Sequence, residues 1–154
     1  WLIGASGTAA ETPESSEKVA KKTFLVSNYS YFSGNAGVAA NLGYSKGIAS
    51  PTILDNYFAG GRALALINAF TPITMTGNTL YGTISGFESG DYPGNTYTTS
   101  RPTGVKVFVR PNQYEPGRAN ITVYNWDRVG SVNVSLKGIL RAGVHYEVRN
   151  AQNY

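Results

Sequence analysis

The feature that most constrains this chain is an asparagine that recurs at the end of short aliphatic stretches. Asn28 follows FLVS, Asn56 follows TILD and Asn78 follows TMTG, while Asn95 in PGNTYTT forms a weaker fourth case, so the intervals are 28, 22 and 17 residues. Intervals of roughly 20 to 30 residues are typical of stacked supersecondary units. An Asn stacked at one corner can pair its amide with the next, and Asn and Gly tolerate the left-handed backbone that such corners need. We therefore expect a parallel coil in which each unit is a strand, an Asn turn and a second strand.

The segment from Pro51 to Gly82 carries the most regular version of this pattern. ILDNYFAG and MTGNTLYG both read aliphatic-x-x-N-x-apolar-x-G. This resembles the rungs of right-handed parallel β-helix proteins in bacterial secreted polysaccharide-active families such as polysaccharide lyases. The resemblance covers residues 25–98 and implies a fold rather than an activity. Because the rung lengths are irregular, an antiparallel sandwich remains the alternative fold for this region.

Composition favours an all-β chain. Charged residues make up 14% of the sequence, below the roughly 25% of an average soluble domain, and 18 Gly and 11 Tyr take their place. A helical bundle needs charged helix surfaces, and a disordered chain has high net charge and few aromatic residues. Turn-forming residues together with aromatic ones are typical of short strands joined by tight turns.

Charge and cysteine content limit the partners that we expect. The net charge is +4 and the basic residues are scattered, so nucleic-acid binding is not expected. There is no apolar run near the roughly 18 residues that a membrane span needs, so no integral membrane segment is expected. Without cysteine, disulfides and thiol chemistry are excluded. The Asn-, Thr-, Gly- and Tyr-rich composition suits a secreted bacterial protein, and we expect an extracellular or cell-surface location.

Residues 1–24 form a leader that contains one candidate helix. Thr12 can cap its N-terminus, Pro13 suits the first helical position, and Lys18, Lys21 and Lys22 suit its C-terminal end. The apolar face is thin, with Val19 and Ala20 only. A docked short helix and a mobile leader both remain open.

Residues 99–154 read as an antiparallel β module. GVKVFVRP, ANITVYNWD, SVNVSLKGIL and HYEVRNAQ alternate with period two, as half-buried strands do, and turn residues separate them. The run from VYNWD to the end resembles the C-terminal β-sandwich modules of secreted glycan-degrading enzymes. Four strands are too few to close two sheets. Three completions remain open: the rungs supply the missing layer, the chain is a fragment, or another chain adds a strand.

No set of catalytic residues emerges. Glu88 and Asp91 lie in a Gly-rich loop, and His145 is the single histidine, so a metal site or a triad would depend on it alone. The lyase resemblance implies calcium-binding aspartates beside an Arg or Lys base, which would draw on Asp55, Asp91 and Arg62, Arg101 or Lys106. No Asp-x-Asp or Asp-x-x-Asp cluster is present to hold calcium. We predict no catalytic residue, no metal and no cofactor.

Aromatic residues beside Asn and Thr in the rung region suggest a binding surface. Flat rings next to hydroxyl and amide groups can stack on sugar faces and hydrogen-bond their edges. Packing within the rungs is the alternative explanation for most of these rings. The candidate binding residues are Tyr29, Tyr31, Tyr57, Arg62, Tyr81, Tyr92 and Tyr97.

Taken together, the sequence predicts a non-catalytic extracellular structural or adhesive module. It would act by self-assembly into a fibre, with copies of itself as partners, or by contact with polysaccharide. The alternative is a fragment of a polysaccharide lyase or glycoside hydrolase of β-helix fold.

Overall fold

The computed structural model describes residues 22–32, 37–45 and 47–151, and within these ranges the chain is all-β, as the composition predicts. The helix expected from Thr12 lies outside the described residues. The chain forms two compact units, Trp1–Pro102 and Thr103–Tyr154. The first contains the asparagine repeats, and the second contains the expected antiparallel segment.

Three parallel sheets make up the described part of the first unit. One has the order β1 (Phe24–Val26), β5 (Thr52–Leu54), β8 (Thr74–Thr76). In the second, β6 (Tyr57–Leu66) lies between β9 (Thr79–Ser85) and both β2 (Tyr29–Tyr31) and β3 (Asn41–Leu42), and β10 (Thr96–Thr98) follows β9. The third pairs β4 (Ile48–Ala49) with β7 (Ala69–Phe70). Each of these strands pairs in parallel with a strand of a neighbouring repeat, so the repeats stack in sequence order.

In-register apolar columns form the core of this stack. Leu25, Ile53 and Met75 lie side by side across the first sheet, and all three are buried. In the second sheet Phe58 lies beside Leu80, and both are completely buried. Because side chains alternate between the faces of a strand, the flanking residues of the first sheet point outward, and Phe24 and Val26 are exposed. The three-residue strands β1, β5 and β8 thus each place one apolar side chain in the interior, whereas the longer β6 buries several.

The second unit contains one antiparallel hairpin. Its strands are β11 (Val105–Pro111) and β12 (Ala119–Asn125), with Phe108 opposite Thr122 at the centre. Asn112 closes the loop, because its Oδ1 accepts hydrogen bonds from the backbone N–H groups of Tyr114 and Glu115. A 2.7 Å ion pair joins Arg118 to Glu115 across the same loop.

The strands expected in SVNVSLKGIL and HYEVRNAQ are not formed, which corrects the expected sandwich-like segment. Residues 126–151 contain only one isolated bridge, between Lys137 and Leu140. The alternation itself persists: Val132, Val134 and Leu136 are half-buried, whereas the residues between them are exposed. Period-two patterning sets which face of an extended segment is apolar, but a strand also needs a ladder partner. In the described part of the second unit, only β11 and β12 have such a partner.

We predict that Phe58→Ala will destabilise the protein by about 3 to 5 kcal/mol, because it removes a completely buried aromatic ring and leaves a cavity. Phe70→Ala is the matched control, since that ring is 50% exposed. Urea unfolding of both variants measures the difference. Equal losses of stability would contradict a core centred on Phe58.

Candidate functional site

The asparagines of the repeat mark the corner between the first and second sheets. The residue that precedes each of the first three has positive φ: Ser27 at 56°, Asp55 at 53° and Gly77 at 71°. This left-handed conformation turns the chain out of β1, β5 and β8 and into β2, β6 and β9. Two of these three residues, Ser27 and Asp55, are not glycine, so the conformational freedom of glycine alone does not explain the corner. Other interactions must hold the chain in this conformation.

Side-chain amides stacked along this corner supply those interactions. Asn78 Oδ1 accepts hydrogen bonds from the backbone N–H of Asn56 at 3.0 Å and from Asn56 Nδ2 at 2.7 Å. Asn56 Oδ1 accepts the corresponding pair from Asn28, and Asn95 Oδ1 accepts the pair from Asn78. Asn56 and Asn78 also donate from Nδ2 to the carbonyls of Leu25 and Ile53. We call this chain of four residues the asparagine ladder.

A tyrosine ends the ladder. Asn95 Nδ2 donates to the hydroxyl of Tyr97 at 3.2 Å, and that hydroxyl donates to the carbonyl of Tyr92 at 3.0 Å. Tyr97 also follows Ser30, Phe58 and Leu80 in the register of the second sheet, and it packs against the core. Burial raises the pKa of Tyr97 above its usual 10.0, although the hydrogen bond from Asn95 opposes that shift. The phenol therefore replaces the next asparagine at this end of the stack.

Four of the candidate binding residues lie on one face of the second sheet. The register places Tyr29 beside Tyr57 and Tyr31 beside Ala59, which in turn lies beside Tyr81. The rings of Tyr57 and Tyr81 lie 5.6 Å apart at 57°. Tyr31 is 54% exposed and Tyr57 only 4%, so these rings range from accessible to buried. The exposed member can offer a ring and a hydroxyl to a ligand, whereas Tyr57 contributes packing.

The other three candidates lie elsewhere. Tyr92 and Tyr97 pack against Phe87 at centroid distances of 5.9 and 6.5 Å and cover the end of the core. Arg62 is exposed within β6, where the register to β9 shifts on either side of it. The seven residues therefore divide among a tyrosine-bearing sheet face, an irregular stretch of β6 and the end of the core.

The acidic candidates are not gathered into one site. Glu88 precedes an exposed one-turn 3₁₀ helix, Ser89–Asp91, and Asp91 ends it, whereas Asp55 occupies a corner of the stack. His145 is exposed. Across residues 22–32, 37–45 and 47–151, no three His, Cys, Asp or Glu side chains are grouped so that they could hold a metal ion. In the same ranges no helix has the length and apolar character needed to cross a membrane.

Neither a family model, nor a curated protein, nor a solved structure matches this chain significantly. Its function must therefore be inferred from the arrangement of its own residues.

The hairpin carries a cluster that was not among the candidate binding residues. Tyr124 and Trp126 stack with centroids 5.4 Å apart and planes 12° apart, and Phe108 meets Tyr124 edge-on at 6.3 Å. Lys106 Nζ lies 5.5 Å from the centroid of the Phe108 ring. The sequence signal was available, because these residues occur at alternate positions in two predicted strands. The missing information was the register, which places Lys106 opposite Tyr124.

We predict that Asn78→Ala will destabilise the protein by about 2 to 4 kcal/mol. The change removes the acceptor of the buried backbone N–H of Asn56 and of its side-chain Nδ2, and each such loss costs about 1 to 3 kcal/mol. Asn41→Ala is the control, since Asn41 is an exposed asparagine of the same sheet system. If chemical denaturation gives both variants the same midpoint, the ladder contributes no special stability.

We also predict an alkaline loss of stability that depends on Tyr97. Because its folded pKa is raised, the folded state retains the phenol proton above pH 10.0 while the unfolded state releases it. The stabilisation from Tyr97 is therefore complete below this value and declines as pH rises through it. The difference in the free energy of unfolding between the wild type and Tyr97→Phe, measured with urea, should decrease as the pH rises above 10.0. An advantage independent of pH would contradict the assignment.

Proposed function

We propose that residues 24–98 form a right-handed parallel β-helix. Three observations support this fold: parallel registers between successive repeats, three sheets that recur in the same order, and the asparagine ladder at one corner. Parallel strands joined by crossovers are right-handed in about 98% of cases, which supports the handedness. Each coil then presents the same corner to the next coil.

We further propose that the protein is a non-catalytic structural module of the extracellular space or cell surface that acts by self-assembly. The observation that carries this proposal is a row of exposed apolar side chains near the C-terminal end of the described residues. Val144, Tyr146 and Val148 are 51%, 64% and 71% exposed. They occupy alternate positions, and a 2.8 Å ion pair joins Glu147, which lies between two of them, to Arg149, which follows Val148. In an extended chain residues two apart share a face, so this segment has an apolar and a charged face.

The hairpin of the same unit offers a complementary surface. Its two strands pair only with each other in the described part of the chain. One face of the hairpin is aliphatic, and Val105, Ile121 and Val123 on it are 37%, 37% and 42% exposed. An unpaired strand edge is a template for strand addition by another chain. We propose that residues 144–149 of one copy add to the hairpin edge of a second copy.

Assembly of this kind is open-ended. The donor segment and the acceptor edge are different surfaces of one chain, so each copy that donates a strand still has an edge to receive one. Such head-to-tail contacts generate rings or filaments rather than closed two-fold dimers. A fibre follows from the proposed contact where the rotation between copies does not close a ring.

We predict that the wild-type chain will form particles larger than a monomer and that Tyr146→Asp combined with Val148→Asp will abolish them. The carboxylates place charge on the face that must be buried. His145→Asp is the matched control, because it introduces an acidic group on the opposite face. Light scattering over a range of concentrations measures the effect, and circular dichroism checks the fold. A monomeric wild type, or a double variant that assembles normally, would refute self-assembly through this segment.

A further inference from the structure

Charge is unevenly divided between the two units. Residues 103–154 contain seven Lys or Arg and three Asp or Glu, a net charge of +4, whereas residues 1–102 contain six of each and have no net charge. The net positive charge of the protein therefore belongs entirely to the second unit. A concentration of one sign of charge attracts ligands of the opposite sign and raises their local concentration.

The hairpin arranges part of this charge beside aromatic rings. Because side chains alternate along a strand, Lys106, Phe108 and Arg110 of β11 share a face with Thr122 and Tyr124 of β12. Trp126 extends this row, since its ring stacks on Tyr124 and its backbone N–H donates to the carbonyl of Gly104 at 3.0 Å. We call this surface the aromatic face of the hairpin; it is opposite the aliphatic face.

The side chains of the aromatic face are accessible to different degrees. Lys106 and Arg110 are exposed, and Phe108, Tyr124 and Trp126 are half-buried. Rings held in this way can present flat apolar surface to a ligand while their contacts with one another fix their orientation. The cations lie at the same surface, with Lys106 Nζ 5.5 Å from the centroid of the Phe108 ring. The face thus combines partly accessible aromatic rings with positively charged side chains that lie close to them.

We propose that the aromatic face of the hairpin binds an anionic polysaccharide built from uronic acids. A pyranose ring has a face of C–H groups that packs on an aromatic ring, and its hydroxyls hydrogen-bond to groups such as the Thr122 side chain. In a uronate the carboxylate is attached to that same sugar ring. Stacking on the aromatic row therefore brings the carboxylate near Lys106 or Arg110, and a guanidinium can bind it through two hydrogen bonds.

The spacing of rings and cations favours a uronate over a nucleic acid. In a nucleotide the stacking group is the base, and the phosphate is separated from it by the ribose. Proteins that bind single strands accordingly combine aromatic platforms with a basic groove that tracks the backbone. On the hairpin, Lys106 Nζ lies over the ring of Phe108. This arrangement matches a ligand whose carboxylate and stacking face belong to the same sugar ring. This inference goes beyond the proposed self-assembly and does not depend on it.

The test is calorimetric titration of the full chain with alginate oligosaccharides, beside neutral dextran oligosaccharides and a single-stranded oligonucleotide. We expect saturable binding to alginate that weakens with added salt, because exposed charges are screened. Lys106→Ala with Arg110→Ala should weaken binding about tenfold or more, equivalent to about 1.4 kcal/mol. The matched control, Lys137→Ala with Arg141→Ala, removes the same charge from exposed positions outside the aromatic face and should change the affinity less than about twofold.

The aromatic contribution is tested without changing charge. Trp126→Ala should weaken alginate binding by a similar factor, while Trp126→Phe, which retains a flat ring, should keep most of the affinity. Repeating the titration with Tyr146→Ser and Val148→Ser, which removes apolar side chains from residues 144–149 without adding negative charge, separates binding from assembly. The proposal is overturned if alginate does not bind, if dextran or the oligonucleotide binds as tightly, or if both double-cation variants lose the same affinity.

Discussion

At the corner between the first two parallel sheets, the chain buries side-chain amides that need a partner for each polar atom. Asn56 and Asn78 are 2% and 1% exposed, and the next asparagine along the stack accepts from both the backbone and the side chain of each. No described buried side-chain nitrogen or oxygen is left without a hydrogen bond. Such a network stabilises only when every member is present, because a partly satisfied one is costly. The parallel stacking of the repeats, and the positions of their tyrosines, depend on it.

Much of the stack could be predicted from sequence, because the asparagine and, after Asn56 and Asn78, the apolar residue two positions later are local signals. The positions of the tyrosines could not be predicted, since they depend on the register between strands. Tyr29 and Tyr31 lie in one short strand, and only the pairing with β6 places Tyr29 beside buried Tyr57. The C-terminal strands were wrongly expected for the complementary reason. Alternation of Val132, Val134 and Leu136 indicates an amphipathic segment but carries no information about a partner.

The two units use aromatic residues differently. In the first unit Phe58 lies in the interior column and Tyr97 covers its end, so these rings serve stability. In the second unit the rings of Phe108, Tyr124 and Trp126 lie on an exposed hairpin among cations, on the unit that carries all of the net charge. We propose that the second unit is the part that binds other molecules. Self-assembly would use its aliphatic surfaces, and an anionic glycan would use its aromatic face.

Native-state hydrogen exchange tests the central claim, that the asparagine ladder holds the stack together, most directly. Amide protons that open only when the whole fold opens exchange with the free energy of global unfolding. The backbone N–H groups of Asn56 and Asn78 donate to side-chain oxygens rather than to a strand, and we predict that they exchange at this slowest rate, together with the amides of Tyr57 and Ala65 in β6. Exchange of these two amides as fast as that of exposed loop amides, with β6 still protected, would contradict the account.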